Sequence, residues 1–463
     1  MNSRRDFLRS SIFTASAFAA AGCVSDGSNR FNLRRGAPMM GFADKPMDEV
    51  RIGIVGVGGR GFAAIRRFAK IPGAKVVALC DNMQDKIDKG QKRLSEHKLP
   101  AAKPYYGETA WRRLCDDPHI DVVYNTTPWE LHVPVALAAM NGGKHVFTEV
   151  PSALFVDDCW ELVELSEKTH RHCMQLENCC YGEVEMLTLH LARLGMFGEL
   201  VHAEGAYIHD LRGMAQAKCP DSEYWRYAWN KAHKGNFYPT HGLVPLCLTL
   251  GINRGDRFDY LVSLESRQAN FKAYLKAVAP DSPRVNDDIQ MGDMNTTLIK
   301  TALGRSIMIQ HDVSTPRPYS RIQFLSGTKG AICDYPYRVG FEKAPGKGVH
   351  AWFDEKAAAE IKEKYAHPMF RQAGILAKKT SADHGGMDFL MDMRWVYCLR
   401  QGLPLDMDVY DLAATGCLCE LTEKSVRNRS ETISLPDFTR GAWKTAKPLG
   451  IMDIDLRKAG YDT

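Results

Sequence analysis

Residues 50–61 read Val-Arg-Ile-Gly-Ile-Val-Gly-Val-Gly-Gly-Arg-Gly, and no other stretch of the 463-residue chain narrows its possible folds as much. A strand-like apolar run, Val50 to Val55, leads straight into Gly56, Gly58 and Gly61, spaced G-x-G-x-x-G. A helical pattern follows through Phe62, Ile65 and Phe68, and a second strand pattern, Lys75 to Leu79, ends at Cys80-Asp81. The first glycine permits a tight turn, the second admits a pyrophosphate to the backbone, and the third lets helix and strand pack closely. The helix N-terminus adds partial positive charge. Asp81 stands 20 residues past the last glycine, where a carboxylate holds a ribose 2′-hydroxyl and repels a 2′-phosphate. Glycine-rich turns alone are common. Strand, glycines, helix, strand and acid in that order predict an NAD site.

The alternation of strand and helix continues to about residue 176. A helix is expected over Met83–His97, a buried strand over Ile120–Asn125, a helix over His132–Met140 and a strand over Lys144–Thr148. Helix Val156–Thr169 and strand His172–Gln175 complete the series. Short right-handed crossovers give a doubly wound parallel sheet of the Rossmann type over 48–176. Beyond it the periodicity changes to two. Leu200–His209, Asn295–Leu303, Ser306–Val313 and Arg321–Leu325 alternate, and Gly327-Thr328-Lys329-Gly330 reads as a hairpin turn into Ala331–Asp334. Residues 177–463 are therefore expected to form an α+β substrate domain around a largely antiparallel sheet. Helices are expected over Asp354–Lys364, Asp388–Gln401 and Asp408–Ser425.

The first 23 residues read as an address. Ser3-Arg4-Arg5-Asp6-Phe7-Leu8 resembles a twin-arginine export signal, and Ala20-Ala21-Gly22-Cys23 resembles a lipoprotein cleavage box with Ala20 where Leu is usual. The expectation is export to the periplasm or to a membrane-anchored lipoprotein form, with 24–47 as a flexible tether. The net charge of +5 gives no electrostatic case for nucleic-acid binding. Thirteen cysteines show no zinc-type spacing, so no metal site is expected and most should be buried thiols.

With these features in view the chain resembles the Gfo/Idh/MocA group of dinucleotide-dependent enzymes. Within that group it is most similar to the NAD-dependent α-N-acetylgalactosaminidases. The group usually has Glu-Lys-Pro after the fifth strand, the lysine relaying a proton, whereas here Glu149-Val150-Pro151 stands. The galactosaminidase branch shares that Val. It is also similar in Trp129-Glu130-Leu131-His132, Asn178-Cys179-Cys180-Tyr181, Tyr238-Pro239-Thr240-His241-Gly242 and His384-Gly385-Gly386-Met387-Asp388. The resemblance implies hydrolysis by a redox detour on a glycan ending in N-acetylgalactosamine. Hydride leaves sugar C3 for the cofactor, a base takes the acidified C2 proton, the aglycone leaves C1, water adds, and the hydride returns. An NAD-dependent sugar or inositol dehydrogenase is the alternative, which the missing lysine disfavours. A non-catalytic sugar-binding protein is a third.

Arg60 and Gly61 are expected to touch the phosphates, and Trp129 to His132 to lie near the nicotinamide half. By resemblance Glu149, Val150 and Asn178 also contact NAD. Tyr181 is the first candidate for the catalytic base, although a phenol needs nearby positive charge to work near neutrality. His241 is the second, since imidazole titrates near working pH. Which of them serves C2 and which C3 stays open. Tyr207, Arg226, Tyr238, Pro239, Thr240, His241 and Tyr319 match the branch's substrate-contacting positions. His384 and Asp388 look functional, but a capped helix start explains them nearly as well. Open sheet faces in this group are often used for self-association, so a homodimer is expected.

Overall fold

The computed structural model describes residues 38–219, 222–342, 349–380, 383–450 and 452–461. The twin-arginine-like segment, the Cys23 box and residues 24–37 lie outside the described residues. The last ten residues of the expected tether are not loose. Met39 is buried and its amide donates to the Tyr410 hydroxyl at 3.3 Å. Asp44 pairs with Arg171 at 2.7 Å and with His145 at 3.1 Å. The polar composition of this stretch concealed its anchors, which are contributed by distant parts of the chain.

The first sheet comprises β1 (Val50–Val55), β2 (Ala74–Asp81), β3 (Lys103–Tyr106), β4 (Val122–Asn125), β5 (His145–Thr148) and β6 (Cys173–Gln175). Its order is β3-β2-β1-β4-β5-β6, and every pairing is parallel. Residues of β4, β5 and β6 are buried throughout, as expected of strands covered on both faces. The order reverses between β1 and β4, and a ligand crevice opens at the carboxyl ends of strands that part in this way.

The second sheet holds β7 (Leu200–Ile208), β8 (Phe258–Glu265), β9 (Asn295–Thr301), β10 (Ser306–Asp312), β11 (Phe324–Gly327), β12 (Gly330–Cys333), β13 (Arg338–Phe341) and β14 (Ile433–Ser434). Its order is β13-β12-β11-β7-β10-β9-β8-β14, antiparallel except between β7 and β10. The α/β Rossmann plus largely antiparallel architecture expected from the sequence is observed. Helices Thr240–Leu250 and Leu418–Arg427 pack on the inner face. Eleven cysteines among the described residues are free and buried.

A late helix, Met387–Gln401, returns to cover the first sheet. Trp395 lies 4.5 Å from the ring of Phe147 and 5.7 Å from that of Phe68. Beneath it, Arg67 on the helix Gly59–Phe68 pairs with Asp392 at 2.6 Å, both side chains fully buried.

Local differences from the sequence expectation have local causes. Helix Trp129–Asn141 starts three residues earlier than expected and carries Pro134 inside it, in the first two turns. Strand β11 starts at Phe324 rather than Arg321, because Ile322 and Gln323 are left-handed at φ 61° and 50°. The single helix expected over 408–425 is two, Val409–Gly416 and Leu418–Arg427, joined at Cys417.

Candidate active site

The glycine loop has the geometry its spacing predicts. Gly56 has φ +89°, and a Cβ there would lie 2.8 Å from the Thr126 carbonyl oxygen. A Cβ on Gly61 would lie 2.0 Å from the Gly56 carbonyl oxygen, so the helix presses directly on the turn. A Cβ on Gly58 would meet nothing within 4 Å, which leaves that side open for a pyrophosphate. The helix Gly59–Phe68 has no acidic residue in its first turn and no side-chain cap, a fitting cradle for an anion. Asp81 closes the far end, its carboxylate accepting from the Val57 amide at 2.7 Å and the Met83 amide at 2.9 Å.

Arg60 does not reach for phosphate in this arrangement. Its guanidinium donates to Glu149 at 2.7 Å and, through two nitrogens, to Asp388 at 3.1 and 3.0 Å. Two carboxylates already hold the charge expected to meet the pyrophosphate. Arg60 still lines the cleft, beside the main-chain N–H groups of the helix start.

His132 is likewise committed. Its Nδ1 lies 2.8 Å from the Pro151 carbonyl and its Nε2 2.8 Å from that of Thr127, knitting together the loops after β4 and β5. Trp129 donates to the Val150 carbonyl at 3.3 Å, and Glu130 accepts from Trp229 at 2.9 Å. Leu131 packs against the core beneath, and Asn178 donates to Asp388 at 2.8 Å.

A cleft opens between the start of the helix Gly59–Phe68 and the start of the helix Thr240–Leu250. It is lined by Arg60, Trp129, Glu149, Asn178, Arg226 and His241, among others. His241 enters because two glycines let a helix sit on a strand. A Cβ on Gly205 of β7 would lie 2.1 Å from the Gly242 carbonyl oxygen, and one on Gly242 would lie 2.2 Å from the Ala206 amide. This backbone contact sets the rings of Tyr207 and His241 5.4 Å apart, with Tyr238 4.9 Å from His241. Pro239 precedes the same helix as its N-cap, and Thr240 is its fully buried first residue.

Glu177 was not anticipated from the sequence. Its carboxylate lies 2.7 Å from His241 Nδ1 and accepts from the Cys179 amide at 3.0 Å. Burial alone would raise its pKa. The interaction with His241 and the hydrogen bond from the Cys179 amide outweigh burial and hold the carboxyl below its usual range. Glu177 thus orients the imidazole and leaves Nε2 for proton exchange. Its position at the end of β6 was a signal, but nothing in the sequence paired it with a residue 64 positions later. Ligand atoms of Glu177, Cys179 and His241 lie within 4.8 Å of one another, close enough for a metal ion. Burial raises the pKa of the Cys179 thiol well above the usual value.

Arg226 is buried among rings, its guanidinium 5.1 Å from the centres of Tyr238 and Trp225 and 5.5 Å from Trp129. Its Nε is buried with no hydrogen-bond acceptor, a donor that a ligand oxygen would satisfy. The Tyr207 hydroxyl meets His209 Nδ1 at 3.1 Å. Tyr319 does not line the cleft; it is 38% exposed, its ring 6.3 Å from that of Tyr207 and its hydroxyl accepting from Arg321 at 3.0 Å.

Tyr181 is set apart from this group. It is 1% exposed within the core beneath the late helix, and its hydroxyl donates to Asp406 at 3.0 Å. Burial and Asp406 push its pKa well above 10, with Arg394 pulling the other way. A phenol so placed is a structural member, and this argues against the first candidate for the base.

Residues 181–445 match the model of the glycosyl hydrolase 109 C-terminal domain, and residues 50–176 match that of the oxidoreductase family with an NAD-binding Rossmann fold. The chain is 45% identical over 419 residues to a glycosyl hydrolase family 109 protein of Shewanella pealeana, covering 90% of this chain and 91% of that one.

The chain belongs to glycosyl hydrolase family 109.

Another relative, the α-N-acetylgalactosaminidase of Bacteroides fragilis, is 45% identical over 411 residues, covering 88% of this chain and 96% of its own. Among solved structures, levoglucosan dehydrogenase in complex with NADH and L-sorbose aligns with TM-score 0.62 at 16% identity, over 84% of this chain and all of that one. The WlbA dehydrogenase of Bordetella pertussis, in complex with NADH and UDP-GlcNAcA, aligns with TM-score 0.60 at 15% identity, over 85% of this chain and all of that one. At that identity the likeness is one of fold. This family 109 enzyme is a glycoside hydrolase whose Rossmann domain binds NAD, and the residues around Gly58 and Asp81 fit that cofactor.

Proposed function

We propose that this family 109 enzyme removes terminal α-linked N-acetylgalactosamine, with NAD recycled within each turnover. The observation that carries the reading is His241, held from behind by buried Glu177 and lining the same cleft as Glu149 and Trp129 at the end expected for the nicotinamide. The name of the Bacteroides fragilis relative supports the choice of sugar. Bound NAD supplies a reversible hydride acceptor for sugar C3, and the resulting ketone makes the C2 hydrogen acidic.

His241 Nε2 takes the C3 hydroxyl proton and later returns it, while Glu177 holds the ring in place. The aromatic wall of Trp129, Trp225 and Tyr238 receives the pyranose faces. Arg226, charged at every working pH, binds ring or acetamido oxygens and favours negative charge building on O3 as a water in the cleft takes the C2 proton. Val150, buried at 3% exposure where dehydrogenases of the wider group use lysine, disfavours net sugar oxidation.

The test is to incubate pure protein, without added NAD, with p-nitrophenyl α-N-acetylgalactosaminide in deuterated water. Deuterium at C2 of the released sugar, without NADH accumulating, is expected. Unlabelled product excludes the elimination route, and NADH growing with substrate favours the dehydrogenase.

Two further proposals concern where the enzyme sits. The motifs at Arg4-Arg5 and Cys23 support twin-arginine export and a lipid anchor, which membrane fractionation beside a Cys23→Ala variant tests. Tyr260, Leu264 and Leu298 are 40%, 57% and 54% exposed on the open face of the second sheet. That apolar row supports a homodimer. Leu298→Asp should then yield monomer by light scattering, and an unchanged mass would remove this face from the interface.

A further inference from the structure

The Asp388 carboxylate has no exposed surface and makes four polar contacts to three separate chain segments. One oxygen accepts from Arg60 at 3.0 Å and from Asn178 at 2.8 Å. The other accepts from Arg60 at 3.1 Å and lies 2.7 Å from His384 Nδ1. Arg60 opens the dinucleotide helix, Asn178 follows β6, and all three partners line the cleft.

Helix capping does not account for this arrangement. The helix Met387–Gln401 begins after Gly386 with no side-chain cap, and the buried Asp388 carboxylate instead meets Arg60 and Asn178 behind the cleft wall. Before it, His384, Gly385 and Gly386 have φ values of 48°, 66° and 93°. A histidine held left-handed is costly unless its surroundings impose the conformation, and the bond to Asp388 does so. The His384 side chain is 56% exposed at the cleft mouth while its Nδ1 is tied to a buried acid. Charge from Arg60 and the hydrogen bond from His384 overcome burial and hold the Asp388 carboxyl far below its usual range, so the cluster stays ionised.

We propose that Asp388 is a positioning residue for the dinucleotide. It fixes Arg60 and Asn178 in the cleft wall and anchors the His384 turn over the opening, so NAD leaves only when these contacts part. This role rests on the NAD assignment above and deepens it, turning a binding cleft into a retaining one.

The experiment loads the full-length protein with isotope-labelled NAD, chases with unlabelled NAD, and follows release on filters. His384→Ala, which removes only the outer arm, is expected to release NAD several-fold faster. Its urea midpoint, measured in saturating NAD, should fall by no more than the loss of NAD affinity accounts for. Asp388→Asn, which loses a charge-assisted buried contact, is expected to release NAD about tenfold faster or more. If Asp388→Asn does not fold, His384→Ala and Asn178→Ala decide. Asp392→Asn, one turn deeper on the same helix, is the control, expected to be less stable yet to release NAD at the parent rate. Parent-rate release from the His384 and Asp388 variants overturns the proposal. So does equal acceleration in Asp392→Asn, since general loosening would then suffice. A parent protein that retains no label refutes the cofactor assignment itself, a distinct outcome.

Discussion

His241→Ala is expected to lower kcat on p-nitrophenyl α-N-acetylgalactosaminide about a thousandfold, within the range for loss of a general acid–base group. The dinucleotide should remain bound, because His241 lies on the sugar side of the cleft and the glycine loop is untouched. Chromatography of nucleotide released on denaturation checks that content. Glu177→Gln is expected to fall about a hundredfold, as an amide donating to Nδ1 imposes the wrong imidazole tautomer. Tyr181→Phe supplies the contrast. It removes one buried hydrogen bond to Asp406, which keeps its ion pair with Arg394 at 2.9 Å. The expected result is near-parent turnover with about 1–2 kcal/mol less stability. If Tyr181→Phe abolishes activity and His241→Ala does not, the proton-transfer assignment is reversed.

The largest effect on folding is expected at Asp392→Ala. That change strands the Arg67 guanidinium in the core without a counter-ion, at a cost of about 3–5 kcal/mol. Urea unfolding in saturating NAD measures it. The double variant Arg67→Met with Asp392→Leu should recover most of the loss, since a buried ion pair contributes little beyond a well-packed apolar pair. Recovery will be incomplete, because the Trp395 indole and the Tyr124 hydroxyl donate to Asp392 at 3.1 and 3.3 Å and would lose that acceptor. A single variant as stable as the parent would show that the pair does not brace the helix against the sheet.

The first sheet was readable because its signals are local: a glycine spacing, an acid 20 residues on, and apolar runs of strand length. The second sheet was readable where its strands alternate. It was obscured at Ile322 and Gln323, where left-handed backbone interrupts an apolar run, and at β8, whose mixed residues form no clear pattern. Motif segments brought Trp129, Glu149, Asn178, Arg226, Tyr238 and His241 to one cleft. What they do there was not readable. Arg60 looked like a phosphate ligand because of its place in the loop, yet two distant carboxylates claim it. Tyr181 looked like a base because of its neighbours in sequence, yet its ring turns the other way out of the same short turn. Glu177 gains its role only when the chain folds back 64 residues.

The late helix that roofs the first sheet carries a consequence for synthesis. Until the helix ending at residue 401 has left the ribosome, a nascent chain lacks the Trp395 ring that packs on Phe68, Tyr124 and Phe147, and lacks the Asp392 carboxylate that pairs with Arg67. The nucleotide half therefore cannot be completed during translation by its own residues alone, and the unfinished intermediate exposes a sticky face that a chaperone would need to guard.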